Sequence, residues 1–261
     1  MFIPLVLLLA QTARAQPEAS WNSDQTQHFT IRHENPASSL GDDNLIERIY
    51  EALHPVLFPL VPWMTREKVQ VYLYGGRDSF LKGRFDPPAW SGGLMIDSGG
   101  DKLLAVYEPL DAAVTAHELT HLYFHAFFDE TGARPPAWLD EGLAMMLQDD
   151  ALSMPDPRDR GPVLLSPIPM KSFLRERPAG DAPASHVGAW YRQADSVVRF
   201  LKSAHVGSLF PDFCGKIRDG DDAETSLRDV YGYADLDAFE AAWLKWRPTK
   251  EKGLPLGLGD Q

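Results

Sequence analysis

Every segment with a strand-like pattern lies before residue 110, and nearly all helical periodicity lies after it. A doubly wound sheet would alternate the two along the chain, so this order points to an α+β domain. Residues 28–34 (HFTIRHE) and 69–75 (VQVYLYG) alternate or carry β-branched and aromatic residues, as strands do. Residues 90–97 (WSGGLMID) and 102–109 (KLLAVYEP) read as two more strands joined by the turn SGGD. One helix falls among them, from Asp43 to about Phe58, with apolar residues at Leu45, Ile46, Ile49, Leu53 and Leu57 and with Pro59 and Pro62 behind it. A short helix is expected at 78–82.

Beyond residue 110 the pattern is helical. Asp111 is a good N-cap for a helix running to about Phe128. Gly132 and Pro135-Pro136 separate it from a second helix over 137–148, with Pro136 near its first turn. Residues 149–184 are rich in Pro, Asp and Arg and read as a surface excursion with a short helix at 170–175. Ser185 is expected to cap an amphipathic helix to His205, stopped by Gly207. Shorter helices follow at 209–218, 222–231 and 235–246.

The apolar run Phe2–Ala10 is too short to span a bilayer, and the Ala13-Arg14-Ala15 that follows suits a leader-peptide cleavage site. The expectation is an exported protein, periplasmic or extracellular, with a signal peptide at 1–15, one domain over 16–247 and a mobile tail at 248–261. That domain divides into a strand-rich part (28–109), two central helices (111–148) and a helical part (185–246). No stable membrane insertion is expected after cleavage. The net charge of −12 argues against nucleic acid, which needs a basic surface. Cys214 is the only cysteine, so no disulfide forms within the chain, and its apolar neighbours suggest a buried small hydrophobe.

The chemistry concentrates in AHELTHLYFH, residues 116–125. His117 and His121 are four apart, so on a helix they differ by about 40° and face one point. Two imidazoles so placed reach a single Zn²⁺, and Glu118 beside the first can hydrogen-bond a metal-bound water without ligating. After a turn comes PAWLDEGLA, residues 136–144. Two helices joined by so short a loop pack antiparallel, which returns Glu141 towards the histidines. Two His and one Glu leave the fourth zinc position open, the pattern of a catalytic site. His125 lies two turns from His117, about 12 Å along the axis, and is expected outside the ligand set. Asp140 is a candidate to orient a ligand imidazole.

Together, HELTH and WLDEGLA resemble the gluzincin, or peptidase MA-like, superfamily of zinc metallopeptidases. The resemblance implies a zincin-like fold: a small mixed or antiparallel sheet packed on the HExxH helix, followed by a mainly helical part. It implies one Zn²⁺ held by His117, His121 and Glu141, with Glu118 as general base. The metzincin pattern fails, since it requires Gly at 124 and His at 127 and both are Phe. An aspzincin would use an Asp, for which Asp129 and Asp140 are present, but the context around Glu141 matches the gluzincin motif. YRQADSVVRFL (191–201) resembles the helix that carries an active-site Tyr, with Ala194 where a small residue, often Gly, stands. Tyr191 then stabilises an oxyanion, with His186 as the rival donor. The ending 230–246 also resembles small members of the superfamily.

The implied activity is hydrolysis of a peptide or protein substrate by metal-activated water. WSGGLMID is a candidate edge strand for pairing with substrate backbone, Gly92-Gly93 permitting close approach. Two alternatives stand beside this: a non-catalytic peptide- or cell-wall-binding protein on the same fold, and a zinc hydrolase of a non-peptide substrate. RDGDDAE (218–224) lacks calcium-loop spacing and reads as a helix-capping turn. Oligomeric state, cleavage specificity and endo- versus exopeptidase action are not read from the sequence.

Overall fold

The computed structural model describes residues 21–35, 39–98, 101–152, 166–203 and 209–246. The expected leader, the tail and Gly207 lie outside these residues. No described helix is long and apolar enough to cross a membrane.

Five strands form one mixed sheet: β1 (Asn22–Gln25), β2 (Phe29–His33), β3 (Val69–Tyr74), β4 (Leu94–Ser98) and β5 (Asp101–Tyr107), in the order β1-β2-β3-β5-β4. The three inner strands run parallel, and β1 and β4 pair antiparallel at the two edges. The fold is thus α+β, with the sheet first and a mainly helical part after it. The helices are α1 (Ser39–Leu57), α2 (Arg77–Lys82), α3 (Ala112–Asp129), α4 (Ala137–Ala151), α5 (Met170–Phe173), α6 (Ala184–Ser203), α7 (Leu209–Arg218), α8 (Ala223–Tyr231) and α9 (Leu236–Trp246).

Alternation sorts the sheet residues between two faces. Phe29, Ile31, Val71, Leu73, Leu104 and Val106 join the main core with Ile46, Ile49 and Leu53 of α1 and Leu119, Leu122 and Tyr123 of α3. Tyr72, Tyr74 and Ala105 face the other way and pack with Phe80 of α2. Every residue of α3 from Thr115 to Phe128 is buried. A helix buried on all sides is normally apolar throughout, so five polar residues in this stretch (Thr115, His117, Glu118, Thr120 and His121) and His125 beyond them demand partners. The two threonines bond back to Asp111 and Ala116 carbonyls, as helical Thr commonly does. The remaining four find theirs on neighbouring elements.

Several boundaries differ from the sequence reading. β1 was not expected; its four residues are polar and exposed, so no apolar alternation marks it. Residues 90–93 precede β4 rather than belong to it. A Cβ at Gly93 would stand 2.9 Å from Val114, 3.1 Å from Glu118 and 3.3 Å from Val106, so this stretch is wedged between α3 and the Val106 side chain of β5 without joining the ladder. α1 starts four residues earlier than expected and contains Pro55 in its last turn. α6 starts at Ala184, with the Pro183 carbonyl accepting from His186 and Val187, which leaves Ser185 inside the helix rather than capping it. Asp111 does cap α3, accepting from Ala113 and Val114 N–H. Asp222, in the capping turn, accepts from Thr225 N–H and starts α8. Cys214 is buried, and burial raises its thiol pKa well above the ordinary value.

Candidate metal centre

Consecutive helices build the centre. α3 carries His117, Glu118 and His121; a short loop turns the chain, and α4 lies against α3 with Asp140 and Glu141 in its first two turns. His117 Nε2 and His121 Nε2 stand 3.0 Å apart. Glu141 Oε2 is 3.6 Å from each of them. Ligand atoms on a tetrahedral zinc at 2.0–2.1 Å lie about 3.3–3.4 Å from one another, so this triangle has the dimensions of one coordination face. All three residues are at most 3 % exposed. Glu141 Oε2 is buried without a hydrogen-bond partner. A carboxylate oxygen stranded in this way is costly unless a cation completes it. These residues could hold a metal ion.

Asp140 fixes the ring that matters. Its Oδ1 lies 2.7 Å from His121 Nδ1 and its Oδ2 lies 2.9 Å from His125 Nε2. A proton on His121 Nδ1, donated to Asp140, leaves the Nε2 lone pair facing Glu141. His125 is outside the triangle, as expected from its helical offset; it holds the far oxygen of Asp140. Burial opposes charge on His121, but Asp140 and Glu141 more than offset it, so its pKa is well above the ordinary imidazole value. The field at this spot favours a cation, whether proton or metal. Burial also works against ionising Asp140, yet His121 and His125 hold its pKa below the usual carboxylate range.

Glu118 is buried, and its Oε2 accepts from the Met95 N–H of β4 at 3.2 Å. Burial raises its pKa above the ordinary value, against the pull of His121, His117 and that N–H. The Met95 N–H therefore points away from β5, so the free edge of β4 borders Glu118.

Tyr191 of α6 reaches the same centre, close enough for the Glu141 carboxylate to act on its phenol. Burial and then the negative charge of Glu141 hold the phenol protonated, well above its usual pKa. His186, the rival donor, instead contacts Glu176. What brings Tyr191 close is the packing of α6 on α4. A Cβ at Gly142 would meet the Ala194 carbonyl oxygen at 2.5 Å. The two backbones approach that closely because Gly142 has no side chain and Ala194 a small one. The sequence reading did not assign this role to Gly142, nor Met95 a place beside Glu118; a backbone amide has no sequence signature. A cavity of about 300 Å³ opens beside Glu141 and Asp140, bordered by His125, Arg134 and Arg177.

No protein-family model matches the chain, and no curated protein matches it either.

Proposed function

We propose that the chain is an exported zinc-dependent peptidase of the gluzincin, or peptidase MA-like, superfamily. The observation that carries this reading is the convergence of His117 Nε2, His121 Nε2 and Glu141 Oε2 within 3.0–3.6 Å of one another, beside a buried Glu118. His117, His121 and Glu141 would hold one Zn²⁺, which when bound polarises a carbonyl and lowers the pKa of water.

The chain's own groups do the rest. Glu118, made more basic by burial, takes a proton from the attacking water and delivers it to the leaving amine. The Tyr191 phenol turns from Glu141 towards the developing oxyanion and donates to it. An extended substrate adds to the free edge of β4 through main-chain hydrogen bonds, which set it alongside Glu118. That edge favours a peptide over other substrates with a polarised carbonyl.

The test compares zinc-loaded wild type with Glu118→Gln on casein and on a peptide library, with and without a chelator. We expect one zinc at this centre in both proteins and activity lower by about 10²–10⁴ in the variant. Equal activity would remove Glu118 from its role. Zinc content unchanged in His117→Ala would remove the ligand assignment.

A further inference from the structure

At the sheet edge remote from α3, a second cluster gathers around a buried histidine. β1 supplies Asp24, the end of β2 supplies His33, and the first turns of α1 supply Asp43. His33 Nε2 lies 3.5 Å from Asp24 Oδ2 and 3.3 Å from Asp43 Oδ1. His33 is 1 % exposed, and its Nε2, its Nδ1 and Asp43 Oδ1 are all buried without a hydrogen-bond partner.

An ordinary imidazole–carboxylate pair would not look like this. One N–H points at one oxygen, and buried N–H···O contacts close to about 2.7–3.2 Å. Here one nitrogen faces two oxygens and bonds to neither. Separations of 3.3 and 3.5 Å are those of ligands around a shared ion, which lie about 3.3–3.4 Å apart for zinc. The surroundings are strongly acidic: Asp42 and Glu47 act on Asp43, and Glu108 acts on Asp42 with one carboxylate oxygen itself buried and unpartnered. Among the described residues no Lys or Arg pairs with Asp24, Asp42, Asp43 or Glu108. Arg32 precedes His33 on β2, so its side chain leaves from the opposite face, and its guanidinium lies over the Tyr72 ring.

We propose that Asp24, His33 and Asp43 form a second divalent-metal site, separate from the first, that takes one Zn²⁺ and fastens β1 and β2 to α1. One imidazole with two carboxylates suits zinc, and the half-exposed Asp24 leaves room for water at the fourth position. The ion would supply β1 with an anchor, since all four residues of that strand are exposed. Four strand spacings, about 19 Å, separate β1 from β4, so the two sites act independently.

The test is zinc content per chain by mass spectrometry of the metal, after chelation, reconstitution with zinc and gel filtration. Wild type should hold two ions. His33→Gln and Asp43→Asn should each hold one and keep wild-type peptidase activity. The double variant His117→Ala/His121→Ala should also hold one, lost when His33→Gln is added. Hydrogen exchange across residues 22–25 should slow with the second equivalent of zinc in wild type and not in Asp24→Asn, whose half-exposed side chain spares the fold if a core variant does not. A single wild-type ion that vanishes in the His117→Ala/His121→Ala variant would overturn the proposal. So would a second ion retained in both His33→Gln and Asp24→Asn.

Discussion

His121 presents its Nδ1 to Asp140 at 2.7 Å, so the residue next to the carboxylate of the triangle sets the orientation of an imidazole in it. Asp140→Asn keeps the size and removes the charge. We expect zinc affinity to fall by about 10- to 100-fold, read as the midpoint of a chelator titration, with the circular dichroism of the folded chain retained.

Tyr191→Phe removes a hydroxyl on which Glu141 acts and leaves the packing ring in place. Zinc content should hold. The expected loss is in kcat, by about 10²-fold, with KM little changed, because the hydroxyl is called on only as charge develops on the substrate. A fall confined to KM would place Tyr191 in substrate binding instead.

Gly142→Ala tests the close approach of α4 and α6. In a free helix this change stabilises by about 1 kcal/mol. Here the new methyl would stand 2.5 Å from a backbone oxygen, and backbone cannot swing aside as a side chain does. The sign should reverse, to a destabilisation of about 1–3 kcal/mol in urea unfolding. Activity should fall with it, because moving α6 moves Tyr191.

Asp195, one residue past Ala194, is buried, and burial raises its pKa to about 6 despite the Arg199 guanidinium at 2.7 Å. An acid whose pKa is higher folded than unfolded binds more protons in the folded state. Its stabilising contribution is therefore present at low pH and lost as pH rises from about 4 to about 6, by up to about 3 kcal/mol. Asp195→Asn should remove that slope. The check is the difference in unfolding free energy between the two proteins across this range.

How much of this was legible in the sequence depended on how local each feature is. His117 and His121 share one helix face by spacing alone, and Asp111 announces its cap by residue type. Glu141 was legible once the loop before α4 was seen to be short. β1 was not, because a polar edge strand has no pattern until β2 is beside it. Residues 90–93 looked like strand but stop short of the ladder, with Gly92 and Gly93 tight against Val114, a contact from about twenty residues further on. The meeting of Tyr191 with Glu141 depends on Gly142 facing Ala194, which no spacing within one helix encodes. The cluster at His33 had no signature either, since its members come from three elements.

The triangle of His117, His121 and Glu141 spans only 25 consecutive residues of the chain. Closing so short a loop costs little entropy, and contacts this local form early in folding. The helical pair α3–α4 thus carries all three donor atoms within one local stretch of the chain. The late-coming α6 contributes Tyr191 and the lock at Gly142. On the proposed function, the ligand set is thus a local property of one helical pair, and the phenol that serves it a long-range one.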